Sequence, residues 1–227
     1  MDSVLLSLVH WQGRAISGAG WHKRCTMLSI AANLLNAFQV YLSAKAGDIP
    51  ARFLESANAA PRERELSPKT LPCLRYLARI VELTGGAEGL LANELAANAH
   101  RLHWGQTYTA DDFGEAFVDN YGWLEVFGTR GHFANDSAAA GFLILGPNLL
   151  YPDHHHVAEE IYIPLIGGTE WRKGEGGFVK RQAGEVIHHP SNISHAMRTG
   201  DEPLLALYLW RGGPLAQKSV IGGGDRV

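Results

Sequence analysis

Tyr151–Gly168 reads YPDHHHVAEEIYIPLIGG. Three consecutive histidines, two consecutive glutamates and two tyrosines fall between Tyr151 and Tyr162. An apolar run follows and ends in Gly167-Gly168. A hydrophobic core does not need that composition, whereas a metal site does. His154 and His156 are two apart, and Glu160 and Tyr162 repeat the spacing with the same parity. In an extended chain all four line one side of a sheet. A bend at Val157-Ala158 would break that parity. Neutral imidazoles with a carboxylate suit a divalent first-row metal such as Zn, Fe, Mn, Ni or Co. One more ligand from elsewhere leaves a position open for water or substrate, which separates a catalytic metal from a structural one.

A second stretch supplies that ligand. Gly184-Glu-Val-Ile-His-His-Pro190-Ser-Asn192-Ile-Ser-His195 carries a Gly and a Pro that punctuate a turn between two short strands. His195 then opens the second strand and points inward. His188 and His189 precede the turn proline and read as supporting or surface groups.

Together the two stretches resemble the paired motifs of the cupin superfamily. The first is matched by Gly146, His154-x-His156, Glu160 and Gly167, with a slightly longer gap after Gly146. The second is matched by Gly184, Pro190-x-Asn192 and His195. It departs at Asn192, where the motif has Gly, and it lacks the motif's closing Asn. Asn tolerates a left-handed backbone, so Asn192 can serve the turn. The missing Asn is not a metal ligand.

A narrower resemblance follows from YPDHHHxAEEIYxxLxG and from Leu207-Tyr208-Leu209-Trp210-Arg211-Gly212. Both are similar to the cupin-type dimethylsulfoniopropionate (DMSP) lyases, most of all the DddL and DddQ branch. The match covers roughly residues 120 to 213. It implies His154, His156, Glu160 and His195 as ligands of one divalent ion. It further implies a lyase that splits DMSP by β-elimination into dimethyl sulfide and acrylate, with Tyr162 as general base. A phenol near a divalent cation loses its proton more easily, because the cation stabilises phenolate. Tyr151, Tyr208 and Trp210 either wall the substrate, with their faces to its sulfonium, or simply pack the barrel. Another cupin enzyme, a dioxygenase or an isomerase, would use the same ligands. A sensing cupin without catalysis is a third reading.

The rest of the chain sets bounds. At 227 residues it can bury a real core. Apolar content of 46% and charge of 19% are ordinary for a globular protein. A net charge of −3 leaves no electrostatic footprint for nucleic acid or an anionic membrane. The two cysteines, Cys25 and Cys73, sit in apolar helical patterns and read as buried thiols. The start of the chain has no basic segment before its short apolar run Leu5 to Val9, so a cytoplasmic location is expected. A homodimer is expected from the resemblance.

Helices are expected over Trp21–Ala46, Asp48–Ala59, Leu71–Leu83 and Ala87–His103. His100 and His103 would share a face of the last. An aromatic connector from Trp104 to Gly128 then packs on or plugs the barrel mouth. Short strands are expected at 141–146, 160–166, 169–173, 177–181, 185–188, 195–199 and 204–210. The expected class is therefore α+β, mainly β. A helical N-terminal region with its connector spans 1–125. A single cupin barrel of the double-stranded β-helix or jelly-roll type spans 126–213, and a loose tail spans 214–227.

Overall fold

The computed structural model describes residues 22–45, 47–57 and 62–222. The expectations for Leu5 to Val9 and for the thiol of Cys25 lie outside what is described. The helical part contains α1 (His22–Ser43), α2 (Asp48–Ala57), α3 (Leu77–Leu83) and α4 (Gly86–Asn98), with the two-residue strand β1 (Arg62–Glu63) after α2. The connector holds β2 (Trp104–Gly105), α5 (Ala110–Phe113) and α6 (Glu115–Val118). The sheet region begins with β3 (Tyr121–Gly128), β4 (Phe133–Ala134), β5 (Ala138–Leu145), β6 (Leu150–His155) and β7 (Glu159–Pro164). It continues with β8 (Glu170–Lys173), β9 (Val179–Lys180), β10 (Ile187–His189), β11 (His195–Arg198), β12 (Leu204–Arg211) and β13 (Val220–Ile221).

Two ends of expected helices differ. Leu71–Leu83 splits, because Pro72 opens a 3-10 turn over Pro72–Tyr76 before α3 begins. The last helix stops at Asn98 and one 3-10 turn follows. His103 therefore leaves the helix face it was expected to share with His100. It bridges to Lys69 instead, and its Nδ1 bonds the Ser67 carbonyl at 2.7 Å.

The strands form two separate sheets among the described residues. The larger runs β1-β4-β3-β5-β12-β7-β10, with β2 on β3. The smaller runs β13-β6-β11-β8-β9. The fold is α+β, helices first and sheets after, and the two ladders do not join into one closed barrel. Strand β12 shows how the layers stack. Leu205, Leu207 and Leu209 belong to the apolar cluster shared with helix residues such as Phe38 and Leu95. Leu204, Ala206 and Tyr208 belong to a second cluster shared with the smaller sheet's Tyr151, Trp171 and Met197. Period-two alternation thus gives this strand two buried faces, which is why it reads as a near-continuous apolar run. Phe38 is fully buried and meets Phe127 and Phe142 edge-on, at centroid distances of 6.0 and 5.7 Å.

The connector does pack on the sheets. Tyr108, Phe113, Phe117 and Tyr121 surround the Tyr151 ring at centroid distances of 5.5 to 6.2 Å. The tail differs from expectation, since Val220 and Ile221 pair with His155 and His154 as β13. That pairing gives the N–H and C=O groups of a sheet edge their partners.

Gly141 sits in β5 opposite Glu125 and Tyr208, beside a register shift in β3. A Cβ there would lie 1.7 Å from the Leu124 carbonyl oxygen. Backbone cannot yield as a side-chain tip can. Gly141→Ala is therefore expected to cost about 3 kcal/mol or more. Urea unfolding of the metal-stripped protein measures this, and a midpoint unchanged from the parent would refute the clash.

Candidate metal centre

The two halves of the opening stretch lie on different sheets. Strand β6 ends at His155, residues 156–158 turn the corner, and β7 begins at Glu159. The bend at Val157-Ala158 does break the parity. His154 and Glu160 converge because the two sheets face each other, not because one strand carries both. Ser191 Oγ donates to the Val157 carbonyl and Asn192 N–H to that of His156, at 2.6 and 2.9 Å. The second motif's turn thus clamps the corner. Asn192 takes the left-handed backbone expected of it, with φ of 60°.

His156, Glu160 and His195 each turn one ligand atom to a common point, all within 4.8 Å of one another and all buried. His156 Nε2 stands 3.1 Å and His195 Nε2 3.2 Å from Glu160 Oε2. The tautomers matter here. His156 Nδ1 bonds the Ala158 carbonyl at 2.9 Å, and His195 Nδ1 bonds the Ile193 carbonyl at 3.0 Å. A carbonyl only accepts, so each Nδ1 holds the hydrogen, and a ring with no second proton turns its Nε2 lone pair inward. Two lone pairs then face a carboxylate oxygen at contact distance. Such a set repels itself unless a proton or cation sits between, and it suits a divalent transition-metal ion. His195 Nε2 is buried without a hydrogen-bond partner, as a nitrogen kept for a metal would be.

His154 follows the same pattern, with Nδ1 on the Pro152 carbonyl at 2.8 Å. It pairs with His195 across β6 and β11, and their ring centroids are 4.1 Å apart. Its nitrogens are not among the three atoms that converge most tightly. Burial works to raise the Glu160 pKa, but His156, then His189 and His195, hold it well below the carboxylate range. Burial works to lower His156, and the Glu160 carboxylate lifts it above its ordinary value. Burial, then the neighbouring His195, pushes His154 well below the usual imidazole value.

A cavity of about 480 Å³, counting its open mouth, reaches Glu160. Tyr151, Tyr162, Tyr208 and Trp210 line it, so all the aromatic residues picked from the sequence face one space. Their hydroxyls differ. Tyr151 donates to Tyr108 Oη at 2.9 Å and stacks on His154 at 4.1 Å. Tyr208 Oη is buried without a partner. Burial, then the Glu160 carboxylate, holds Tyr162 well above 10 in the chain by itself. Trp210 is more than a wall. Its Nε1 donates to Glu160 Oε1 at 2.5 Å, and its ring lies 4.0 Å from that of His156.

His155 and Glu159 take the opposite faces. Glu159 accepts from His188 and Arg211, both at 2.7 Å, outside the centre. Of the two readings the sequence left open for His188 and His189, supporting or surface groups, His189 takes the first, for it is 1% exposed and stacked on His195. One cue was present. Two consecutive histidines in a strand must face opposite sides, so His188 on the surface implies His189 within. Arg130 also lines the cavity, stacked on Trp123 and anchored by the buried Glu125, and no motif announced it.

A buried two-histidine, one-glutamate centre at the foot of an aromatic cavity defines a metal-binding α+β protein. A family model described as dimethylsulfoniopropionate lyase matches residues 47–206. The DMSP lyase DddQ of Ruegeria pomeroyi is 35% identical over 148 residues, covering 65% of this chain and 73% of that protein. The DddL protein of Cereibacter sphaeroides is 29% identical over 158 residues, covering 68% of this chain and 65% of that one. The crystal structure of Ruegeria pomeroyi DddQ superposes with a TM-score of 0.77 at 30% identity, over 87% of this chain and 99% of that one. The chain belongs to the dimethylsulfoniopropionate lyase family of the cupin superfamily, on its DddQ/DddL branch. No described helix is long and apolar enough to cross a membrane.

Proposed function

We propose that this chain cleaves DMSP by β-elimination. The observation that carries the reading is the convergence of His156, Glu160 and His195 beneath a cavity walled by tyrosine and tryptophan. His156, Glu160 and His195 would hold one divalent ion, Zn, Fe, Mn, Ni or Co, with His154 as the fourth ligand. When bound there, such an ion would supply Lewis acidity toward the substrate carboxylate, which would make the proton on the α-carbon more acidic. Tyr162 takes that proton. The C–H electron pair forms the double bond, the bond from β-carbon to sulfur breaks, and dimethyl sulfide leaves with its pair, giving acrylate. Tyr151, Tyr208 and Trp210 turn aromatic faces to the sulfonium, an attraction of about 0.5–2 kcal/mol.

The same reading takes 126–213, which holds most strands of the two facing sheets, as a single jelly-roll cupin, with the helical region and connector to residue 125 and the tail from 214. It places the protein in the cytoplasm as a homodimer, with no nucleic-acid or membrane partner. Headspace gas chromatography tests the activity. Chelated protein should release no dimethyl sulfide from DMSP, and restoring one of the five metals should return it. Silence with every metal overturns the lyase reading. Release that needs oxygen would point to an oxygenase, because elimination consumes no oxidant.

A further inference from the structure

Glu160 lies on β7 between two neighbouring strands, and a side chain from each reaches it. Trp210 is its partner across β12 and His189 its partner across β10. Trp210 Nε1 holds Oε1 at 2.5 Å. His189 Nδ1 stands 3.7 Å from Oε2, the oxygen on which His156 and His195 converge. The His189 ring lies parallel to that of His195, at 4.1 Å and 15°. Unlike the three other buried histidines of the centre, it has no carbonyl on Nδ1, and both of its nitrogens are buried without a hydrogen-bond partner. Leaving such a group unpaired is costly, so a buried imidazole here needs a use.

We infer that His189 is a positioning residue of the metal centre. It completes a two-sided clamp on Glu160: Trp210 donates to one carboxylate oxygen, and His189 presents Nδ1 toward the other from 3.7 Å. Its ring also backs the His195 imidazole and fixes that ring's plane. His189 does not itself bind the ion. Stacked, nearly parallel rings cannot aim two nitrogen lone pairs at one point between them. Partners that orient a ligand in this way are typically worth 10- to 100-fold in metal affinity.

The inference rests on the metal site but not on the substrate, so its test uses no DMSP. His189→Phe keeps a flat ring and removes the donor, while His189→Gln keeps a donor. His189→Leu replaces the Phe variant should that one not fold. Metal affinity is read by competition with a chromophoric chelator. Cu(II) electron paramagnetic resonance counts coordinated nitrogens. His189→Phe is expected to weaken metal binding by about 10- to 100-fold, His189→Gln to recover most of that loss, and the nitrogen count to stay that of the parent. Parent-like affinity in His189→Phe overturns the clamp. Equal weakening in Phe and Gln overturns it too, since the ring would then serve only as filler. A nitrogen count lower by one would make His189 a ligand instead. None of these outcomes depends on whether DMSP is cleaved.

Discussion

Tyr162→Phe is expected to keep the fold and the metal and to lower kcat for DMSP cleavage by about 10²- to 10⁴-fold, the usual worth of a positioned general base. The change removes one oxygen. The ring stays buried between the sheets, 4.9 Å from Trp171 and 5.9 Å from His189, so packing is conserved. Tyr162 stands two residues after Glu160, and Tyr208 is its cross-strand partner on the same cavity wall. In the chain by itself burial and the Glu160 carboxylate hold the phenol well above 10. Such a phenol is a donor, not a base. A divalent cation held by Glu160 would offset that negative charge and stabilise phenolate, so the same position would change role with the centre loaded. Metal content by mass spectrometry and initial rates of dimethyl sulfide release separate the possibilities. A variant with full metal and most of its turnover would pass the role of base to another residue.

Glu160→Gln is expected to strip the protein of metal and turnover together. The substitution keeps the volume and leaves an amide oxygen for Trp210 Nε1 to donate to. It removes the one anion on which His156 and His195 converge. Loss of an orienting partner alone costs about 10- to 100-fold in affinity, so loss of the charged ligand should exceed about 100-fold. Elemental analysis after dialysis and the headspace assay should fall in step. Retained metal with lost turnover would mean that Glu160 acts on substrate and that other residues hold the ion. The metal-stripped parent is the control, since it isolates the ion's contribution from the carboxylate's.

Much of the centre was legible in the chain. Histidines two apart, a carboxylate four on, and a later histidine after a Gly-Pro turn name a metal site by chemistry alone. The tyrosine and tryptophan picked with them do face one cavity. The path was less legible. One extended strand would align His154, His156, Glu160 and Tyr162, yet the backbone corner at residues 156–158 puts His154 and Glu160 on opposite sheets and leaves His156 in the corner itself. A local parity rule cannot see such a corner, because the hydrogen bonds from Ser191 and Asn192 that hold it come from another part of the chain.

Ligand chemistry, the alternation of apolar strands and the separation of helices from sheets were therefore set by residue type and spacing, which are local properties. Three things waited on tertiary structure: the clamp of Trp210 and His189 on Glu160, the seat of Arg130 in the cavity, and the pairing of Val220–Ile221 with β6. Each depends on which strand lies beside which. That order is decided by how two sheets and a layer of helices bury their apolar faces together, and no window of sequence contains it.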